Sequence, residues 1–197
     1  LVNLYPQSAE ADEALDHMKN IYIEIGKPKD YVDFVKKAGK VISITEADSL
    51  TYAAAELKYT HNDCAGAIAS FNNYLASYPQ GAYTLNANFY KSECYSKNQD
   101  WQNAVAGYDG VVNQGNSRFA ERAAFSAAHI YYFDLKDYQN SALYFSKLND
   151  LATTDDNKLE ALRGLVRSYY QTKDFTQANN ISKELLPPPG LRPAIGR

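Results

Sequence analysis

Asp100-Trp101-Gln102-Asn103-Ala104-Val105-Ala106-Gly107-Tyr108 sets the architecture of this chain, because its pattern occurs four times. Corresponding stretches begin at Asp63, Asp137 and Asp174, so the four aspartates stand 37 residues apart. The residue directly after each aspartate is aromatic or a cysteine. The residue four positions after the aspartate is small. These positions hold Cys64, Trp101, Tyr138 and Phe175, and Ala67, Ala104, Ser141 and Ala178. A repeat maintained over three intervals indicates stacked copies of one supersecondary unit.

Each unit predicts two helices joined by a polar turn. Residues 87–95 and 123–133 carry apolar side chains at helical spacing and predict first helices. Each aspartate precedes a new apolar run, where its carboxylate can cap free backbone N–H groups. In the second helices a small residue and an aromatic, such as Ala104 and Tyr108, share a face one turn apart. Such a pair cannot bury both of its apolar faces alone, so the sequence predicts an all-α, right-handed superhelical solenoid of antiparallel helix pairs.

The pattern of aromatic, turn, aromatic and Ala-x-x-x-aromatic, with Pro79 closing the first clear unit, resembles the tetratricopeptide repeat (TPR), although 37 residues exceed the usual 34. The resemblance covers residues 46–186 strongly and 8–40 weakly. It implies a TPR-like fold and a protein partner, and says little about function beyond that. Lys58, Cys64 and Ser182 replace expected aromatics, so the outer units are expected to pack less tightly.

The segment 42–52, which leads into the repeats, gives a second resemblance. It is similar to large repeat proteins of Bacteroidetes cell envelopes that resemble the Tol-Pal system coordinator and outer-membrane assembly lipoproteins. This resemblance implies an extracytoplasmic location, either periplasmic or associated with the outer membrane.

The sequence predicts three segments. Residues 1–40 form a divergent helix pair, residues 41–186 form a TPR array of about four repeats, and residues 187–197 form a Pro-rich tail or linker. An extended connector at 41–45, packed along the solenoid, is expected to lead into a long helix over 49–59. The chain starts on helix-like sequence without Met, and it is expected to be a fragment of a longer protein.

Composition disfavours several partner classes. The net charge is −3 with no run of five Lys or Arg, which disfavours nucleic acid and membrane surfaces as partners. No apolar stretch approaches the roughly 18 to 20 residues of a transmembrane helix, so direct membrane insertion is not expected. Cys64 and Cys94 would lie at neighbouring helix ends and could form a disulfide. Two buried small hydrophobes are the favoured interpretation.

Residues for catalysis or metal binding do not form a constellation. His17, His61 and His129 lack a second His or Cys at metal-ligand spacing, and His129 is best interpreted as a packed helix histidine. The four repeated aspartates are interpreted as helix caps rather than as a carboxylate row. The chain has no Gly-rich phosphate loop, nucleophile elbow or HExxH motif. The sequence therefore predicts a protein that is not an enzyme, with no cofactor and no metal.

The first helices are expected to line a concave groove. On this face the sequence places an acidic part, an apolar part and a basic part, which would fit an extended or helical peptide with its own charge polarity. The predicted groove residues are Tyr52, Glu56, Tyr59, Phe89, Glu93, Ile130, Phe133, Arg163, Arg167 and Tyr170.

The resulting functional prediction is a non-catalytic protein–protein interaction scaffold, part of a larger cell-envelope repeat protein. Two alternatives stay open. One is a glycan or small-ligand binding module that uses the aromatic rings of Tyr52, Tyr59, Phe89 and Tyr170. The other is a structural spacer whose inner face has no partner. The sequence does not indicate the identity of a partner or the oligomeric state.

Overall fold

A computed structural model describes residues 2, 4–115 and 117–185, and it contains ten α-helices and a π-helical segment. The described residues include no β-strand, so the predicted all-α helix-pair fold is confirmed. The predicted Pro-rich tail, 187–197, lies outside the described residues. The helices are α1 (Ala9–Glu24), α2 (Pro28–Lys37), α3 (Ile44–Thr60), α4 (Cys64–Ser77), α5 (Thr84–Lys97), α6 (Trp101–Val112), α7 (Ala120–His129), the π segment (Ile130–Asp134), α8 (Tyr138–Leu151), α9 (Asp155–Gln171) and α10 (Phe175–Glu184).

The helices separate into two compact units, divided after Asp100. Unit 1 contains α1 to α5, and within it α3 packs against α1, α2, α4 and α5. Unit 2 contains α6 to α10 and the π segment, and within it α8 packs against α7 and α9, while α9 also packs against α10. Each unit is thus a stack of consecutive helices in which every helix covers the apolar face of its neighbours.

Asp63, Asp137 and Asp174 cap second helices, as the sequence predicts. The carboxylates of Asp63, Asp137 and Asp174 accept hydrogen bonds from backbone N–H groups three residues later, at 2.9, 3.1 and 3.0 Å. These bonds satisfy N–H groups that have no acceptor inside the helix, and the negative charge lies at the positive end of the helix dipole. The caps fix where α4, α8 and α10 begin.

The residue before each repeated aspartate has a left-handed backbone conformation. Asn62, Gln99, Lys136 and Lys173 have φ angles between 54° and 63°, and they too are spaced 37 residues apart. Only asparagine among these types tolerates this region readily, because other side chains crowd the following carbonyl oxygen. The turn between the paired helices therefore repeats with its backbone strain as well as with its cap.

The connector before α3 differs from the prediction. Helix α3 begins at Ile44, because the Ser43 hydroxyl accepts a hydrogen bond from the Glu46 N–H at 3.1 Å and caps the helix earlier than expected. The non-helical connector is reduced to residues 41–43. Its first residue, Val41, is 95% exposed, whereas Ile42 packs against the hydrophobic cluster that includes Leu15, Val35 and Leu50, so the segment contacts the helices through Ile42.

Cys64 and Cys94 form a disulfide, so the favoured interpretation of two separate buried hydrophobes is wrong. Cys64 is the first residue of α4, and Cys94 lies in the last turn of α5. Antiparallel packing of these helices brings the two Cα atoms to 5.0 Å, a normal separation for a disulfide. The bond joins two helices of unit 1 within a buried cluster that also contains Phe71 and Tyr74.

Small residues bring the helices of unit 2 close together. Five alanines of α7 are fully buried, at positions 120, 123, 124, 127 and 128. Gly164 of α9 lies directly over the ring of Phe145 in α8, and an added Cβ there would lie 2.4 Å from the ring carbons. The α8–α9 contact therefore requires the absence of a side chain at position 164.

Candidate functional site

Three of the predicted groove residues lie in the hydrophobic cores. Tyr52 is 4% exposed and stacks on Tyr83 at a ring-centroid distance of 4.4 Å. Phe89 is fully buried, and Ile130 is 5% exposed. The prediction that these side chains line an exposed groove is wrong, because each lies on the edge of its helix that packs against the neighbouring helices. Burial of Tyr52 and Phe89 also removes two of the four rings on which the glycan-binding alternative depended.

The remaining unit 1 residues form a hydrogen-bonded layer between α3 and α5. Tyr52 donates a hydrogen bond from its hydroxyl to Glu56 at 2.6 Å, and Tyr59 donates one to Glu93. The ring of Tyr59 also packs on that of Tyr90 with centroids 4.6 Å apart. Glu56, Tyr59 and Glu93 are each partly buried. These carboxylates and hydroxyls therefore contribute to the packing of unit 1, and only part of each faces solvent.

The predicted residues of unit 2 are more accessible. Phe133 in the π segment is 48% exposed, and Tyr170 near the end of α9 is 64% exposed. Arg163 is exposed on α9, and Arg167 is partly buried one turn further on. Positions 160, 163, 167 and 170 follow helical spacing and share one face of α9. The α7–α9 face is defined here as Phe125, His129, Phe133, Glu160, Arg163, Arg167 and Tyr170.

A charged cluster lies in the middle of the α7–α9 face. Arg167 donates a hydrogen bond from its guanidinium to Glu160 Oε1 at 2.6 Å. The imidazole Nε2 of His129 lies 3.4 Å from the same carboxylate oxygen. Within the described residues, Nε2 of His129 and Nε of Arg167 are buried and have no hydrogen-bond partner. Glu160 Oε1 is thus close to a nitrogen of Arg167 and a nitrogen of His129. Among the described residues, each of these two side chains has a buried nitrogen without a hydrogen-bond partner.

Aromatic rings surround His129. Phe125 stacks on the imidazole at 4.3 Å, and Phe133 and Phe145 approach it at 5.5 Å. Burial among these rings lowers the pKa of His129, and the positive charge of Arg167 acts in the same direction, while the Glu160 carboxylate opposes them. His129 is therefore neutral at pH 7, and its protonation requires a lower pH than that of an ordinary histidine.

The helix that carries His129 widens directly after this residue. Directly after His129, residues Ile130–Asp134 form a π-helical segment, in which the Leu135 N–H donates to the Ile130 carbonyl at 2.9 Å. A π turn contains one more residue than an α turn, so it shifts the side chains that follow to a new angle around the helix. Such segments are frequent at functional sites. Here the segment positions Phe133 beside His129 on the exposed face.

The sequence analysis named Arg163 and Arg167 on this face but not Glu160, the partner of Arg167. Glu160 precedes Arg163 by three residues and Arg167 by seven, which puts all three on one face of α9. Phe125, His129 and Phe133 similarly follow an i, i+4, i+8 spacing. These spacings could have identified the cluster, although the interruption of the α-helix at Ile130 has no comparable signal. His129 is packed, as predicted, and it also lies against a carboxylate.

The ten predicted groove residues lie apart from the cavity of unit 1. A cavity of about 750 Å³ lies between α2, α3 and α4 of unit 1, but none of the ten predicted residues lines it. Within the described ranges, no group of three His, Cys, Asp or Glu side chains could hold a metal ion. None of the described helices has both the length and the apolar character needed to cross a membrane.

Solved structures with TPR-like repeats have a similar fold. A kinesin light chain protein from Podosopora anserina, described as having nearly identical TPR-like repeats, matches 88% of this chain and 92% of its own, with a TM-score of 0.53 and 12% identity. BtubC (BKLC) from P. vanneervenii matches 95% of this chain and 86% of its own, with a TM-score of 0.54 and 11% identity. A MamA RS-1 ArsTM double mutant matches 88% and 95%, with a TM-score of 0.52 and 15% identity.

No protein-family model matches the chain. No curated protein matches it either. At these identities the structural matches concern the fold alone, and they support the TPR-like solenoid predicted from the repeats. The chain therefore has a TPR-like helical-repeat fold.

Proposed function

We propose that this chain is a non-catalytic protein–protein interaction scaffold and that the α7–α9 face of unit 2 contacts the partner. The observation that carries the proposal is the exposure of Arg163, Phe133 and Tyr170 on this face. Large aromatic rings and arginine are the side chains that contribute most to binding at protein interfaces.

The charge of the face indicates the chemistry of the partner. Among the described residues, no carboxylate forms an ion pair with Arg163, so its guanidinium can pair with an acidic side chain of another protein. The neighbouring rings of Phe133 and Tyr170 offer apolar surface. The favoured partner is therefore an extended or helical segment that carries both acidic and apolar side chains.

Rigid packing beneath the face supports this role. Phe145 and Gly164 are buried in tight contact directly under Arg167 and His129. A surface that is already ordered loses little conformational entropy when a partner binds, so more of the contact energy appears as affinity. Glu56, Tyr59 and Glu93 of unit 1 remain proposed contacts for another part of the partner.

We also propose an extracytoplasmic location, in the periplasm or at the outer membrane, as part of a cell-envelope repeat protein. The Cys64–Cys94 disulfide supports it, because disulfides persist in oxidising compartments and are rare where cytosolic thiols are kept reduced. A test is the redox state of the two cysteines in cells, read by thiol alkylation before lysis. Recovery of both cysteines as free thiols would contradict the proposed location.

Capture of partners from a cell-envelope extract tests the proposed face. The baits are the wild-type chain, Arg163→Glu and Lys158→Glu. Arg163 and Lys158 are both exposed on α9, and five residues separate their side chains by about 140° around the helix, so the two variants change charge equally on different faces. Arg167 is left unchanged because its reversal would also break the contact with Glu160.

A protein retained by the wild type and Lys158→Glu but lost with Arg163→Glu is the expected result. Identical proteins on all three baits, or none on any, would exclude the face as a binding site and favour the structural-spacer alternative.

A further inference from the structure

Glu160 contacts both nitrogen-bearing side chains of the charged cluster on the α7–α9 face, Arg167 and His129. Its Oε1 accepts the hydrogen bond from Arg167 at 2.6 Å and lies 3.4 Å from His129 Nε2. Arg167 also lies over the rings of Tyr132 and Phe145, at 5.7 and 6.0 Å, so its guanidinium is held in place. The carboxylate side chain is about one quarter exposed. An acidic group from outside must therefore compete with an internal one.

We propose that Glu160 is an internal competitor for an acidic partner segment and that protonation of His129 weakens this competition, so that binding tightens at mildly acidic pH. This inference rests on the proposed function and specifies how the same face is regulated. The two parts of the proposal are a competing carboxylate and a histidine that changes the charge of the cluster.

The charge of the cluster changes from zero to +1 when His129 is protonated. The charged groups that face the imidazole are Glu160 and Arg167, both from α9. The other groups that contact the ring are the uncharged Phe125 and Phe133 on its own helix and Phe145 on α8. With neutral histidine, Glu160 neutralises Arg167. With imidazolium, one carboxylate faces two cations, and the surplus positive charge attracts a second carboxylate.

Unused donors supply the place for that second carboxylate. Within the described residues, His129 Nε2 and Arg167 Nε are buried and have no hydrogen-bond partner. A buried donor without an acceptor is unfavourable, and an incoming carboxylate offers two oxygens with lone pairs for such donors. His129 Nε2 lies 3.4 Å from Glu160 Oε1, and the hydrogen bond of Arg167 to this oxygen uses a terminal guanidinium nitrogen, so Arg167 Nε is left for a second acceptor.

The direction of the pH effect follows from the environment of the imidazole. Burial lowers the pKa of His129 below its ordinary value of about 6.5, so the free protein carries neutral histidine at pH 7. A bound carboxylate would favour the protonated form, so binding would take up a proton. The affinity should therefore rise as the pH falls below about 6.5.

The test uses two short synthetic peptides, one alternating Asp with Leu and one alternating Asn with Leu. Their affinities for wild type, Glu160→Gln, His129→Phe and the exposed control Glu184→Gln are measured by fluorescence anisotropy at about pH 7.5 and about pH 5.5. Phenylalanine keeps the aromatic packing at position 129 but cannot be protonated. Aspartate side chains remain ionised across this interval, so the peptide charge stays constant.

For wild type and Glu184→Gln, the Asp peptide should bind about fivefold more tightly at the lower pH, the scale expected for one additional, partly screened charge near a protein surface. Glu160→Gln should bind it more tightly than wild type at both pH values. His129→Phe should show no pH dependence. Thermal unfolding of each variant at both pH values confirms that the compared proteins are folded.

Failure of the inference and failure of the proposed function give different results. Equal affinity of wild type for the Asp peptide at both pH values, or no gain for Glu160→Gln, would overturn the regulation while leaving the binding face intact. Equal affinities for the Asp and Asn peptides in every variant, including Glu160→Gln at the lower pH, would overturn the acidic-partner proposal and the inference with it.

Discussion

Units 1 and 2 are made from the same 37-residue repeat but are stabilised by different chemistry. Both units have tyrosine hydroxyls that donate to carboxylates, such as Tyr59 to Glu93 in unit 1 and Tyr144 to Asp109 in unit 2. Unit 1 differs in its disulfide between α4 and α5. Unit 2 has alanine-lined helix contacts and, on its exposed face, the cluster of His129, Glu160 and Arg167. Positions that conform to the repeat form the helix pairs in both units. Positions that depart from it, such as Cys64 and His129, distinguish the units.

This difference makes each unit sensitive to a different condition. The stability of unit 1 depends on the redox state, because a covalent bond closes its α4–α5 contact. The charge of unit 2 depends on pH, because a partly buried histidine lies between a carboxylate and aromatic rings. Perturbing one condition should therefore affect one unit first.

Breaking the disulfide should have the largest effect on stability. Cys64→Ser removes a cross-link that closes a 30-residue separation, which should lower the free energy of unfolding by about 2 to 4 kcal/mol. Urea unfolding measures the total loss, and hydrogen exchange locates it. We expect faster exchange in α4 and α5 and a smaller change in α8 and α9. A uniform loss of protection across both units would contradict the distinction between them.

Adding one methyl group between α8 and α9 should have the next largest effect. Gly164→Ala places a Cβ against the buried Phe145 ring and should destabilise unit 2 by about 1 to 3 kcal/mol. Gly110→Ala in α6 is the matched control, since nothing lies within 4 Å of the added atom. Because alanine favours helix over glycine, the control should be stabilised by about 0.5 to 1 kcal/mol. Thermal unfolding with opposite signs for the two variants is expected, and equal signs would refute the close-approach explanation.

The left-handed turn residues should respond alike in both units. Gln99→Gly in unit 1 and Lys136→Gly in unit 2 each replace a non-glycine residue with positive φ, and each should stabilise the protein by about 0.5 to 1 kcal/mol. Chemical unfolding measures the change in the free energy of unfolding for each variant and shows whether the two turns gain the same amount. A gain in only one unit would mean that the surrounding packing, rather than the backbone, controls these turns.

Acidification should produce the smallest effect on stability, and it should act on unit 2. The folded-state pKa of His129 is lowered by burial, so the stabilisation from its neutral form is present above the unfolded value of about 6.5 and is lost as the pH falls through the folded value. Thermal unfolding between pH 7 and pH 5 should show a decrease for wild type and a smaller one for His129→Phe. An equal decrease in both proteins would show that titratable groups other than His129 cause the loss of stability.

The parts of the fold that depend on local sequence could be predicted. An aspartate before an apolar run determines a helix start within three residues, so the caps of α4, α8 and α10 followed from the sequence alone. Helix α3 begins at Ile44, five residues before the predicted start, because Ser43 caps it. Because Ser43 caps the helix, the β-branched residues Ile44 and Thr45 belong to α3 and not to the extended connector.

The parts that depend on contacts between helices could not be predicted. Helical spacing identifies a face, but Tyr52, Phe89 and Ile130 lie at an edge of that face where the rotation of the helix determines burial. Pairing of Cys64 with Cys94 likewise requires a Cα separation that only the packed helices define. The contact of Glu160 with Arg167 lies within α9, but the approach of His129 to the same carboxylate requires that α7 and α9 are adjacent. These errors all concern the relation between helices and not the helices themselves.

The most direct test of the central claim is site-specific photocrosslinking from unit 2 in a cell-envelope extract. A photoreactive phenylalanine replaces either Phe133 on the α7–α9 face or Leu143 on α8, which are 48% and 50% exposed. If the face binds a partner, crosslinks to one protein should form from position 133 and be absent from position 143, and Arg163→Glu should abolish them. Crosslinks of equal yield from both positions, or crosslinks from position 133 that survive Arg163→Glu, would contradict the claim that this face is the binding site.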